Sequence, residues 1–184
     1  MIFLTIGTHE PFDRLVRAVD EWCAARGRAD VFGQITDRAG YLPRHFEHVG
    51  QMAPAAYRDA CEGADFLIAH AGMGAIITAL TLAKPIAVMP RRGHLGETRN
   101  DHQFATAAKL GAKPGIHVAE TEAELPAVLD RLAAGAGAAA APAIGPFAEE
   151  RLISALRSLI EQTDQRDGAP PHPTLSEPQG MPHR

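Results

Sequence analysis

An α/β domain on a mostly parallel sheet, with helices on both faces, is the fold the sequence predicts. Three observations predict it. Short apolar runs alternate with longer runs of helical periodicity from the first residue to about residue 133. The helix-like runs are long enough to carry the chain back across a sheet between parallel strands. The 184 residues, 46% of them hydrophobic, suffice for one substantial core and argue for one domain.

In order, residues 1–6 read as a strand, and 12–25 as a helix with Phe12, Leu15, Val16, Val19 and Trp22 on one face. Residues 30–35 form a second strand and complete a βαβ unit. A short third strand at 45–49 and a helix at 54–63 follow. The strand at 65–69 leads into a nearly all-apolar helix at 73–83, whose composition predicts that it is buried. Next come a strand at 86–89, a polar loop at 91–100, a helix at 101–110, a strand at 116–118 and a helix at 122–133. An Ala/Gly linker at 135–142 precedes one more helix at 146–162, with Phe147, Leu152, Ile153, Leu156, Leu159 and Ile160 as its apolar residues. The predicted domain spans 1–163, and the proline-rich, apolar-poor tail at 164–184 is predicted to be disordered. Crossover connections should be right-handed.

Bulk chemistry removes several function classes. The net charge of −4, from 22 acidic against 18 basic residues, argues against nucleic acid as a partner. Cys23 and Cys61 are too few for a disulfide framework and lack metal-site spacing, which suits a reducing cytosol. The N-terminus enters a strand directly, without the basic segment and cleavage site of a signal peptide. The longest apolar stretch, 75–90, is split by Lys84-Pro85 into pieces too short to cross a bilayer, so any membrane contact is expected to be peripheral.

In an open parallel sheet, ligands collect outside the carboxyl ends of the strands, so the segments that follow strands are the ones to inspect. After the first strand, Gly7-Thr8-His9-Glu10-Pro11 offers a tight turn and a hydroxyl for a ligand; equally, Thr8 or His9 can cap the next helix. Between the fourth strand and its helix lies His70-Ala71-Gly72-Met73-Gly74. Two glycines there let backbone amides approach a phosphate at the positive end of the helix dipole, or let the helix pack closely on the sheet. The spacing is neither G-x-G-x-x-G nor a Walker loop, and the missing dinucleotide fingerprint speaks against an NAD-dependent enzyme. The third segment runs from Arg91 to Gln103. Arg91 and Arg92 suit a diphosphate or a carboxylate. Glu97, Asn100, Asp101 and Gln103 suit hydroxyls or a base. Any one of these also fits a solvated loop, with Asn100 or Asp101 as helix N-cap.

Read jointly, residues 5–9, 64–74, Lys84-Pro85 and 99–103 resemble the C-terminal domain of glycosyltransferase family 28, in order and spacing, over residues 1–132. The likeness extends to exopolysaccharide glycosyltransferase subunits of the PssE type and to the catalytic subunit of the two-part UDP-GlcNAc transferase of dolichol-linked glycan synthesis. The resemblance implies a Rossmann-like domain, the donor-binding half of a GT-B enzyme. Its partner would be a membrane-anchored, acceptor-binding subunit, its substrates a UDP-sugar and a lipid-linked glycan acceptor, and its place the cytoplasmic face of a membrane. By the same likeness, Gly72, Met73 and Gly74 lie against the diphosphate, Asn100, Asp101, His102 and Gln103 near ribose and sugar, and Thr8 and His9 face the same cleft, with Gly7, His70, Ala71 and Arg91 also counted among the donor-binding residues. The implied reaction is an inverting displacement that needs no metal or cofactor, with the general base on the acceptor side and His9 the one candidate in this chain. Thr78 stands where many relatives carry a glutamate that holds the ribose hydroxyls. A regulatory module that binds a nucleotide sugar without transferring it is the alternative reading.

Overall fold

The structure is a computed structural model, and it describes residues 1–8, 10–135 and 154. Two compact units divide the chain, Met1–Ile144 and Gly145–Arg184, and of the second only Ser154, an exposed helical residue, is described. The linker, the helix and the tail read from the sequence beyond residue 135 therefore lie outside the described residues, as does His9.

Six strands make one sheet in the order β3-β2-β1-β4-β5-β6: β1 (Ile2–Thr5), β2 (Val31–Gln34), β3 (Glu47–Val49), β4 (Phe66–His70), β5 (Ile86–Met89) and β6 (Ile116–Val118). Every pairing is parallel, with Ile2 opposite both Val31 and Phe66, so the sheet is wholly rather than mostly parallel. Five helices connect and cover it: α1 (Asp13–Arg26), α2 (Pro54–Gly63), α3 (Met73–Thr81), α4 (His102–Leu110) and α5 (Leu125–Ala133).

Burial on both faces explains why the central strands read as continuous apolar runs instead of alternating ones. Along β1 and just past it, Ile2, Leu4 and Ile6 join Leu15, Val19 and Trp22 of α1 and Leu125 and Leu129 of α5 in one core layer. Phe3 points the other way, into a second layer with Cys61 of α2, Ile76 and Ala79 of α3 and Ala107 of α4. The strand period of two thus divides one apolar run between two cores.

Three sequence expectations need correcting. Helix α5 starts at Leu125 instead of residue 122, because Pro126 has no N–H to donate and is accommodated only in a first turn. Helix α3 ends at Thr81, where Ala83 turns to φ 52° and the amide of Lys84 bonds back to the Ala79 carbonyl. Nor is α3 buried all round. Ala75, Ile76, Ala79 and Leu80 face the sheet, while Met73 and Ile77 remain 49% and 46% exposed, since a helix on a sheet covers only one stripe.

Candidate functional site

In this strand order the connections on the two sides of the β1–β4 pair diverge, which opens a crevice at the carboxyl ends of the central strands. A cleft of about 610 Å³ lies there, reached by Thr5 and Gly7 after β1, Gln34 of β2, His70 of β4, Met73 and Gly74 of α3 and Gln103 of α4. Hollows of about 590 and 540 Å³ lie at the opposite ends of the strands, beside Asp30 and Lys84. Parallel-sheet geometry favours the carboxyl end, where loops rather than strand starts supply the polar groups.

The floor is polar and internally bonded. Thr5 donates its hydroxyl to Gln34 Oε1 at 2.9 Å. The Gln34 amide donates in turn to the carbonyls of Gly7 and Gly50, both at 3.0 Å, which fixes the turn after β1. Gly7 takes φ +83°, a left-handed conformation that glycine adopts without strain.

His70 closes the base of the cleft. A Cβ on Gly72 would collide with its imidazole, and one on Gly7 would stand 3.2 Å from its Nε2, so the ring lies in the space the two glycines leave. Burial, with the nearby Arg91 guanidinium adding to it and Gln103 opposing, pushes the imidazole down to about 4, so His70 is neutral near pH 7. Its Nδ1 is buried with no hydrogen-bond partner among the described residues. The absent side chain at Gly72 therefore makes room for a histidine ring, a reason that neither sequence reading of the glycine pair supplied. At Gly74 the space is open, with nothing within 4 Å of an added Cβ.

The first turn of α3 points into this cleft. Gly72 occupies the N-cap, no side chain caps the helix, and Ile76 is the first amide to bond back, to Gly72 O at 3.3 Å. The amides of Met73, Gly74 and Ala75 thus have no intrahelical acceptor, and they concentrate the positive end of the helix dipole beside the cleft. Among the described residues that line the cleft there is no aspartate, glutamate, lysine or arginine.

The loop after β5 behaves differently from its sequence reading. Arg91 is 4% exposed, and its guanidinium donates to four main-chain carbonyls: Ile6 at 2.8 Å, Glu10 at 2.7 Å, Pro11 at 2.5 Å and Glu97 at 3.1 Å. It also stacks 4.6 Å from the Phe12 ring. Arg92 donates to the Glu120 carbonyl. Glu97 takes a bidentate pair from Arg14 of α1, at 2.8 and 2.9 Å, together with the Arg92 amide. These side chains clamp the loops to one another, and the Arg91 guanidinium, suited in the sequence to a phosphate or carboxylate, is engaged by main-chain carbonyls instead. Asp101 sits at the N-cap of α4, yet its carboxylate accepts from the Gly93 amide; Asn100 Oδ1 accepts from the His102 amide at 3.3 Å. Phe12 holds the N-cap of α1, without a side-chain cap bond.

Of the sequence-selected residues, then, Gly7, Thr8, His70, Gly72, Met73, Gly74, His102 and Gln103 line the cleft. Ala71 is buried at 1% exposure, and Arg91, Asn100 and Asp101 do not reach the lining: Arg91 is buried, while Asn100 and Asp101 are exposed loop ties. Thr78 lines the cleft with its hydroxyl donated to the Gly74 carbonyl at 2.9 Å. Sequence reasoning missed Gln34, Met52, Pro54 and Tyr57, which also line the cleft. Gln34 carried a legible signal: it is the one polar side chain in Val31-Phe32-Gly33-Gln34, at the strand end where ligands bind. Among the described residues no group of three or more His, Cys, Asp or Glu side chains is placed to hold a metal ion, and no helix is long and apolar enough to cross a membrane.

Comparison with solved structures places the fold. The sheet and its helices match the C-terminal half of GT-B glycosyltransferases. The glycotransferase of kitacinnamycin aligns over 87% of this chain and 39% of its own, at 24% identity and TM-score 0.54. The spinosyn forosaminyltransferase SpnP aligns over 86% and 43%, at 18% identity and TM-score 0.54. ALG13 aligns over 84% of this chain and 93% of its own, at 18% identity and TM-score 0.51. The chain spans less than half the length of the first two. No protein-family model and no curated protein matches the sequence.

Proposed function

We propose that this chain is the nucleotide-sugar-binding part of an inverting glycosyltransferase that moves a sugar from a UDP-sugar to a lipid-linked acceptor. The observation that carries the reading is the first turn of α3, which presents the Met73, Gly74 and Ala75 amides to a cleft at the carboxyl ends of β1 and β4. A diphosphate is the anion this arrangement suits, since several amides at a helix N-terminus share its charge without a metal. In this reading the acceptor hydroxyl attacks the anomeric carbon of the donor, the bond to the diphosphate breaks, and UDP leaves against those amides. The neutral imidazole of His70 supports Gly72 and the turn after β1 without adding charge of its own.

The similarity in fold to glycosyltransferases, ALG13 among them, supports the donor-binding role, and in this reading the chain works with a second, membrane-anchored, acceptor-binding protein. In this reading the general base that takes the acceptor proton belongs to the acceptor-binding partner.

Calorimetric titration with UDP and with UDP-sugars tests the donor site. Gly74→Asp is the informative variant, since its side chain enters open space and an acidic residue in a first helical turn favours the helix. UDP affinity should fall more than ~10-fold, by charge repulsion at the anion site, while the melting temperature holds or rises. Unchanged UDP affinity in the folded variant would remove α3 as the diphosphate site.

A further inference from the structure

Strand β2 lies between β3 and β1, and at the carboxyl end of the sheet it leaves both neighbours. Its outermost main-chain rungs run from the Ile6 amide to the Gln34 carbonyl at 3.2 Å and from the Ile35 amide to the Val49 carbonyl at 3.0 Å. The chain then turns away through Thr36, which is buried at φ 63°. One residue past each rung, the side chain of Gln34 replaces the ladder: its Nε2 donates to the carbonyls of Gly7 and Gly50, both at 3.0 Å.

Counting protons shows why this side chain is a glutamine. The two carbonyls bring none, so the group between them must supply two, which a primary amide does. Its Oε1 then faces Thr5, whose hydroxyl donates at 2.9 Å. Glutamate has the same length but lacks those protons, and methionine fills the same space without the bonds. Gln34 is 3% exposed, so water has little access to substitute for it. With both amide protons engaged, it reaches a ligand through the turns it holds rather than by donating to it.

Those turns carry the cleft. Gly7 leads to Thr8, and Gly50 leads to Met52 and Pro54, all of them in the lining except Gly50. Each turn is backed on its other side as well. The His70 ring stands 3.2 Å from a Cβ placed on Gly7, and the Asp37 carboxylate fills the space of one on Gly50. Resting on the nucleotide-sugar reading above, we propose that Gln34 is a positioning residue for the donor site. Its amide holds the turn after β1 and the turn after β3 at one separation, and so sets the width of the cleft for the nucleotide.

Gln34→Met and Gln34→Glu, titrated with UDP and with inorganic pyrophosphate at about pH 8 and about pH 6, test this. Each variant is compared with wild type at the same pH, and His70, which titrates at about 4, stays neutral at both. Gln34→Met should bind UDP ~3–10-fold more weakly at either pH, and pyrophosphate, which needs only the α3 amides, within about twofold of wild type. In Gln34→Glu, burial among carbonyl oxygens raises the new carboxyl's pKa. Ionised, it repels both carbonyls; protonated, it donates to one of them. Its deficit on UDP should therefore be larger at pH 8 and shrink by ~3-fold or more at pH 6. Wild-type affinity for UDP in both variants, equal losses on UDP and pyrophosphate, or a Gln34→Glu deficit that ignores pH overturns the positioning role and leaves the α3 site standing. Failure of both variants to fold makes Gln34 a stability residue and overturns it too. Failure of the wild type to bind UDP overturns the nucleotide-sugar reading and this role with it.

Discussion

The imidazole of His70 occupies the volume that a side chain on residue 72 would need, so the two positions form one unit. Gly72→Ala should lower the melting temperature, and His70→Ala in the same chain should restore part of the loss, because the added methyl then enters vacated space. Strictly additive losses in the double variant would deny the coupling. The ring's titration makes a second prediction. Its folded value of about 4 lies below the ordinary 6.5, so between those two pH values the unfolded chain holds the extra proton. Stability therefore rises with pH across that window, by on the order of 3 kcal/mol at most, and is lost as pH falls through it. His70→Gln should flatten denaturant-unfolding stability between pH 4 and 6.5 relative to wild type; parallel curves would contradict the assignment. At this scale the sequence was half legible. It marked the glycine pair as a junction with a purpose, but the purpose of Gly72 depends on the direction of a neighbouring ring, which no pattern of residue types encodes. Tyr57 was missed for a related reason: only the packing of α2 beside β1 brings it to the cleft lining.

Among the elements, the loop from Arg91 to Asp101 differs most from its sequence reading. A dense polar stretch after a strand suggests ligand chemistry, yet its guanidinium and carboxylate groups close on main-chain atoms and on Arg14, up to 85 residues away in sequence. Those partners become neighbours only once β1 and β5 flank β4, so the roles could not be read beforehand. Arg91→Ala would leave the carbonyls of Ile6, Glu10 and Pro11 without their donor. It should cost about 3 kcal/mol or more in chemical denaturation. A loss below about 1 kcal/mol would show that water replaces the guanidinium readily. Arg91→Lys keeps the charge but not the planar fork, and should recover only part of the stability. Helix α3 carries the converse lesson. Its apolar composition announced burial, and the sheet-facing stripe is buried, but Met73 and Ile77 stay exposed. A cleft and a sheet compete for the same short helix.

Across the whole molecule, the alternation of short apolar and helical runs placed every strand and connecting helix within a few residues, because burial on both faces leaves a parallel sheet little freedom to read otherwise. The location of the cleft followed from the same rule, since the loops after β1 and β4 do meet at the carboxyl end. The central claim is that this sheet presents a nucleotide sugar for transfer and that a membrane-anchored partner completes the reaction. Transfer of radiolabel from UDP-glucose, UDP-GlcNAc and UDP-glucuronic acid to a lipid-linked acceptor measures it, with the chain alone, partner-containing membranes alone and the two together. Label in the lipid fraction from at least one donor, only when chain and membranes are combined, is the result the account predicts. Efficient transfer by the chain alone, or none from any donor in the combined sample, would contradict it.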